Sequence, residues 1–250
     1  MNNVAASLPL MLKKLRLSVF REQWEGMAEK ALHDQWRPEQ YLSELCHIEL
    51  ASRTDKRQLR YVKESNLPSG KHLGGFDFTA IEGVNKARMY ELADNHEWVK
   101  QGANLLLFGA SGVGKTHLAS SLGYSLIEAG IRVKFFSATA LVQQLQEAKR
   151  MLKLQDALNK LDKYQALIID DIGYIKKTEQ ETSVLFELIA HRYERHSLII
   201  TSNQSFEDWD ELFTDTTMTV AAIDRLVHHA HIIQLVGESY RRKAAMKDDE

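Results

Sequence analysis

NLLLFGASGVGKT, residues Asn104 to Thr116, joins an apolar run to a glycine-rich turn that ends in Lys and Thr. The eight residues Gly109 to Thr116 match G-x-x-x-x-G-K-[ST] without a gap. A turn wrapped this tightly around phosphates has little room for Cβ atoms. Gly109, Gly112 and Gly114, with Ala110, Ser111 and Val113 between them, therefore let backbone N–H groups point at β- and γ-phosphate oxygens. Lys115 adds a point charge and Thr116 a hydroxyl ligand for Mg²⁺. The chain continues as THLASSLGYSLIEAG, apolar at helical spacing and closed by Gly130, which sets the phosphates at a helix N-terminus. Strand, cradle and helix follow one another in the order phosphate binding requires.

Around this stretch the 250 residues have ordinary apolar content (44%), three prolines and a net charge of −2. One main domain with a small appendage is expected at this length. The opening, MNNVAASLPLMLKKL, lacks a basic region ahead of its apolar part, and no run approaches the roughly 18 apolar residues of a membrane span. The expectation is a cytoplasmic protein. Cys46 is the single cysteine, which excludes disulfide and zinc-finger frameworks, and its helical setting predicts a small core residue.

Patterns change near residues 65–75, where Ser65-Asn66-Leu67-Pro68-Ser69-Gly70 and Gly74-Gly75 interrupt the chain. Residues 1–70 read as a helical domain and 71–250 as the catalytic one. In the first, Leu8, Leu12, Leu15 and Val19 continue into Trp24 and Met27 as one stripe, and Pro38 opens a second helix through Leu42, Leu45 and Cys46. In the second, strand-like runs at Asn104–Phe108, Val133–Ser137, Ala166–Ile169, Ser197–Ser202 and His231–Val236 alternate with helices. That alternation predicts an α/β fold with a parallel sheet covered on both faces.

Two of these runs end in polar groups that a sheet would not otherwise keep. Leu167-Ile168-Ile169 ends in Asp170-Asp171, and paired carboxylates at a strand tip are costly without a cation to face. Beside the cradle, Asp170 would hold Mg²⁺, through water, and Asp171 would orient and polarise an attacking water. Ser197-Leu198-Ile199-Ile200-Thr201-Ser202 delivers Asn203, an amide placed to position that water.

These residues resemble the AAA+ ATPases, and within them the IstB-type helpers of insertion-sequence transposases, cousins of the DnaC helicase loaders. The likeness rests on Phe76-Asp77-Phe78, LFGASGVGKTHLA, LIIDDIGY at Leu167 to Tyr174, ERH followed by SLIITSN, and AAIDRLVHHAHIIQLVGESYR ending at Arg241. It implies a five-stranded parallel sheet of order 5-1-4-3-2 behind a small all-helical N-terminal domain. It also implies an ATPase using ATP and Mg²⁺ that binds duplex DNA as an oligomer and works with a transposase to choose and prepare target DNA. By the same likeness Gly109 to Thr116 are the Walker A motif, with His117 and Phe78 beside the nucleotide. Asp170 and Asp171 are Walker B, and Asn203 is sensor 1. Arg225 resembles an arginine finger reaching a neighbouring subunit's γ-phosphate, and Arg241 a sensor 2 acting in cis. Most AAA+ ATPases carry Glu where this chain has Asp171, and the shorter side chain suits a timing switch better than a motor.

Without a basic net charge, DNA contact rests on where the cations stand. At about 100° per helical residue, Arg53, Lys56, Arg57, Arg60 and Lys63 share one face. Lys149, Lys153, Lys160 and Lys163, with Arg150 at the border, share another if a single helix runs from Leu141 to Leu161. Neither face interleaves aromatic residues, so backbone contact with duplex DNA is expected over stacking on single strands. His228, His229 and His231 have no acidic or Cys ligand nearby in sequence and read as structural. Two other classes of function share the same core. One is a helicase loader using ATP as a conformational switch, with the N-terminal helices gripping a helicase. The other is a small-molecule kinase, against which the placement of Arg225 before the last strand argues.

Overall fold

The computed structural model describes residues 4–174, 178–204 and 216–240. Ten α-helices and five strands are assigned among them. In chain order these are α1 (Val4–Lys14), α2 (Ser18–His33), α3 (Pro38–Ser65), α4 (Lys86–Asp94), α5 (Glu97–Lys100), β1 (Leu105–Gly109), α6 (Lys115–Glu128), β2 (Val133–Ser137) and α7 (Ala138–Arg150). Then come α8 (Leu154–Leu161), β3 (Ala166–Asp170), α9 (Glu179–Arg192), β4 (Ser197–Ser202), α10 (Thr216–Val227) and β5 (His231–Leu235). The chain forms two compact units, Met1–Arg60 and Tyr61–Glu250. No described helix is long and apolar enough to cross a membrane.

In the first unit the stripe expected to be one helix is two. The chain leaves α1 through Arg16 at φ 57°, with Leu17 N–H reaching back to Leu12 O at 2.9 Å. This is the left-handed closure that glycine usually supplies, made here without one. The helix that follows lacks a capping side chain of its own, because Leu17 stands at its N-cap. Glu49, a buried residue of α3, supplies the acceptor: its Oε2 takes the Val19 N–H at 2.8 Å, and its Oε1 takes Arg53 Nε at 2.8 Å. Burial pushes the Glu49 carboxyl up, but hydrogen bonds from Arg53 and from the Val19 and Phe20 N–H groups outweigh it and hold the carboxyl below its usual range. Cys46, expected in the core, is exposed on α3. Leu45 and Glu49 turn inward instead.

In the second unit all five strands are parallel in the order β2-β3-β4-β1-β5, the predicted order read from the other edge. Because successive side chains of a strand face opposite ways, each apolar run feeds two cores. Leu106, Phe108, Leu167, Ile169, Leu198 and Ile200 pack under α7, α8, α9 and α10. Leu105, Leu107, Ile168 and Ile199 pack under α4, α5 and α6. Gly123 lets α6 approach the sheet closely, since a Cβ there would lie 2.9 Å from both Ile168 and Leu67. At the base of the sheet the buried Arg192 donates to the carbonyls of Tyr164, Gln165 and Ser197 at 3.0–3.2 Å. Burial pushes this guanidinium down to about 9.

The single helix expected over Leu141–Leu161 is also two, α7 and α8. Leu152 at φ 56° divides them, and Lys153 N–H closes on Ala148 O at 2.8 Å. The cations placed on one face by that expectation are therefore split between separate elements.

Candidate active site

β1 ends at Gly109 and α6 begins at Lys115, and the turn between them is set by backbone torsion. Gly112 and Gly114 have φ of 86° and 101°, in the left-handed region that favours glycine. Lys115 is buried, and its ammonium donates to Gly109 O at 2.7 Å and Ala110 O at 2.8 Å across the loop. The cleft above has a volume of about 470 Å³, within the range of pockets that hold small ligands. Ser111 to His117 form its floor.

The opposite wall comes from the segment that precedes the sheet. Lys71, Phe76, Asp77, Ala80 and Ile81 line it. Glu82 fixes that segment to the end of β5 by two backbone bonds, Glu82 N–H to Val236 O at 2.7 Å and Val236 N–H to Glu82 O at 2.9 Å. His117 is tied to the same wall through Nε2, 2.9 Å from His72 O. Glu238, Tyr240 and Asp171 complete the lining. Phe78 stands behind Phe76, ring centroids 4.8 Å apart, and does not line the cleft; Phe76 does.

The acidic pair stands where the cradle meets β3. Thr116 Oγ1 donates toward both Asp170 oxygens, at 2.9 and 3.1 Å, across 54 positions of sequence. Thr201, buried in β4, donates to Asp170 Oδ1 at 2.8 Å and accepts the Asp171 N–H at 2.8 Å. Asp171 has φ 57° and faces the cleft. Burial pushes the Asp170 carboxyl up; hydrogen bonds from Thr201 and Thr116 oppose this, the Asp171 charge adds to it, and Lys115 works against it. Two carboxylates held this way are most stable facing a cation. The donor set fits Mg²⁺ with a triphosphate: hard oxygen ligands from Thr116 and Asp170, and inward N–H groups with the Lys115 ammonium for the phosphates.

The other candidate residues take separate places. Asn203 follows β4 directly and leans on Gly173, where a Cβ would come 2.1 Å from its Oδ1. That oxygen is buried and accepts no hydrogen bond from a described group. Arg225 lies in the last turn of α10, which feeds the start of β5, whereas the cradle is at the far end of β1. A five-residue strand separates these levels by roughly 17 Å at about 3.3 Å per residue. Its guanidinium rests over the rings of Phe186 and Tyr193, 5.6 and 6.0 Å from their centroids, and donates to Ala221 O at 2.8 Å. Arg241 lies outside the described residues.

Arg53, Lys56, Arg57, Arg60 and Lys63 are exposed on the uninterrupted helix α3. Arg53 is engaged by Glu49 and by Arg16 O. Lys149 is held by Ser183 and by Glu187 at 3.0 Å, Arg150 pairs with Glu147 at 3.1 Å, and Lys153 stands in the turn before α8. Glu194, distant in sequence, comes beside His228 and His229, with ligand atoms within 4.8 Å of one another. His228 Nδ1 is engaged there by the Tyr193 hydroxyl at 2.9 Å. His231 opens β5, its ring edge-on to Trp98.

A profile of IstB-like ATP-binding proteins matches residues 10–248. The chain belongs to the IstB-like family. An insertion-sequence ATP-binding protein of Sinorhizobium fredii is 48% identical over 97% of this chain and 81% of its own length. That of IS21 from Pseudomonas aeruginosa is 35% identical over 96% and 90%. Among solved structures, the DnaC helicase loader aligns with TM-score 0.56 at 20% identity, over 71% of this chain and 99% of its own. DnaA bound to AMPPCP and single-stranded DNA aligns at 0.53, with 20% identity, over 74% and 56%. At such identities the last two show a fold shared with this IstB-like chain.

Proposed function

We propose that this IstB-like chain binds and hydrolyses ATP with Mg²⁺, and that it acts as the helper of a transposase. The observation that carries the reading is the meeting of Thr116 with Asp170 at the lip of the cleft, with Asp171 facing in. Lys115 and the loop N–H groups would hold the phosphates, Thr116 and Asp170 the metal. Asp171 would polarise the attacking water with Asn203 nearby, an assignment that supplies general-base and electrostatic help at the developing charge. Arg225 stands too far from its own cradle to serve it, which supports a role in trans within an oligomer. Arg241 would act in cis as sensor 2.

The insertion-sequence names of the relatives support a transposase partner. In this reading residues 1–70 form the helical domain that binds DNA or a partner and residues 71–250 the ATPase. The α3 face of Lys56, Arg57, Arg60 and Lys63 contacts duplex DNA through phosphates. ATP promotes assembly on target DNA, where the oligomer remodels the duplex and recruits the transposase, and hydrolysis ends the complex.

Asp171→Asn tests the switch. The variant should bind Mg²⁺-ATP like the parent, hydrolyse it far more slowly and form longer-lived complexes with duplex DNA. Parental hydrolysis would refute the assignment of Asp171. A parent that binds a replicative helicase in place of duplex DNA would favour the loader reading.

A further inference from the structure

We propose that Thr201 is a positioning residue that binds the two acidic residues of the β3 tip into one unit. The proposal deepens the ATPase reading above and rests on it. β4 is buried along its whole length, and Leu198, Ile199 and Ile200 serve the two apolar cores. A hydroxyl at zero exposure in such a strand requires partners. Thr201 has two, and their chemistry fixes the direction of both bonds. The Asp171 N–H can only donate, so Thr201 oxygen accepts there at 2.8 Å. The single hydroxyl proton is then left for the Asp170 carboxylate, Oδ1, at 2.8 Å.

The arrangement does two things at once. Asp171 sits at φ 57°, a left-handed torsion uncommon outside glycine, asparagine and aspartate, which persists where the surroundings hold it. The bond to Thr201 grips the N–H on which that torsion turns, and so aims the Asp171 carboxylate into the cleft. Asp170 Oδ1 is meanwhile occupied by Thr201 and Thr116, while Oδ2 has, among the described residues, only the longer Thr116 contact of 3.1 Å and would be the oxygen left for a metal. Thr116 lines the cleft and shares its hydroxyl with the ligand side. Thr201, bonded from inside the sheet, is the anchor that does not exchange with ligand. It is paired in register with Leu107 of β1, two residues before the cradle, so the same backbone position spans cradle strand and acidic strand.

The test compares Thr201→Val, nearly isosteric without the hydroxyl, with Thr201→Ser, which keeps it. ATP affinity is titrated with Mg²⁺ and in EDTA, and hydrolysis is followed in a single turnover. Thr201→Val should keep its EDTA affinity and lose about tenfold of the tightening that Mg²⁺ provides, the scale of one hydrogen bond to a charged group. Its single-turnover rate should fall by at least about tenfold, and Thr201→Ser should restore most of both. Thr201→Ala, with space for a water at the Asp171 N–H, is measured in parallel and should show the same Mg²⁺-specific loss if the valine variant does not fold. Parental Mg²⁺ dependence in Thr201→Val, a serine variant as impaired as the valine one, or an equal loss in EDTA would each overturn the proposal. A parent without Mg²⁺-dependent binding or hydrolysis would overturn the ATPase reading itself, a result distinct from a working parent with an indifferent Thr201.

Discussion

Gly114→Ala should weaken ATP binding by about thirtyfold, and the cost can be assembled from two sources. The first is torsional. Gly114 holds φ 101° at the N-cap of α6, and an L-residue placed in left-handed space loses about 1–2 kcal/mol. The second is steric, because a Cβ at this position would lie 2.5 Å from Phe76 Cε2 and 3.1 Å from Cζ. Carbon atoms pack at about 3.5–4.0 Å, so the ring must retreat by roughly 1 Å. It is backed by Phe78, with centroids 4.8 Å apart, and by His117 at 5.4 Å, and crowding of this kind costs about 1–3 kcal/mol. Alanine returns about 0.5–1 kcal/mol by restricting the unfolded chain. If about 2 kcal/mol of the remainder falls on the liganded loop, the dissociation constant rises roughly thirtyfold. Titration with a fluorescent ATP analogue measures it. Gly74→Ala, with nothing within 4 Å and no left-handed torsion, serves as the control. In a Phe76→Leu background the cost of Gly114→Ala should fall by at least about 1 kcal/mol, the coupling expected of residues in contact. Binding within threefold of the parent, or an equal cost in both backgrounds, would refute the reasoning.

Three other outcomes follow from interactions described above. Glu49 has a folded pKa below its unfolded value of about 4.3, so its contribution is complete above that pH and lost as pH falls through the folded value. Glu49→Gln should therefore be about 1–2 kcal/mol less stable at pH 7, with the gap narrowing below about pH 4; denaturant titrations giving a constant gap would contradict the assignment. Arg192→Met should lose about 2–4 kcal/mol, since carbonyls at the sheet base lose their donor while the removed charge returns part of its burial cost. A loss under about 1 kcal/mol in equilibrium unfolding would mean that water replaces the guanidinium. Arg225→Ala and Lys115→Ala, each inactive alone, should recover hydrolysis when mixed, because one contributes a cradle and the other a finger. No recovery in mixed oligomers shown to form would remove Arg225 from the site.

Much of the second unit could be read in the sequence because its chemistry is local. Parallel strands buried on both faces leave unbroken apolar runs, and Gly130 marks the end of α6 by the usual left-handed closure. The places of the glycine-rich turn between β1 and α6, and of Asp170 and Asp171 at the tip of β3, were legible for the same reason. The order of the strands came from family likeness, since spacing says nothing of which strands are neighbours. Helix breaks at Arg16 and Leu152 were missed because each uses the glycine conformation without glycine, so the apolar spacing runs across the joint undisturbed. Phe76 and Phe78 are two positions apart, and only the packed wall tells which one meets the cleft. Lys149 meets Glu187 of α9 across 38 positions of sequence, and Glu194 reaches His228 by the same kind of long-range approach, so neither pairing shows in local spacing. Thr201 left a faint trace, a hydroxyl inside an aliphatic strand, which a search for buried donors would have found.

The exposed Cys46 turns the chain into its own labelling reagent. It is the single thiol in 250 residues and lies on the surface of a 28-residue helix. A maleimide dye or spin label attached there would report from the first unit of an otherwise unaltered protein, with no competing thiol elsewhere to block. If the proposed assembly on DNA forms, distances between labels would count and space its copies. The same thiol imposes a precaution, because air oxidation could couple two chains through Cys46 and mimic assembly on a sizing column. Reductant in every buffer separates that covalent artefact from association driven by nucleotide.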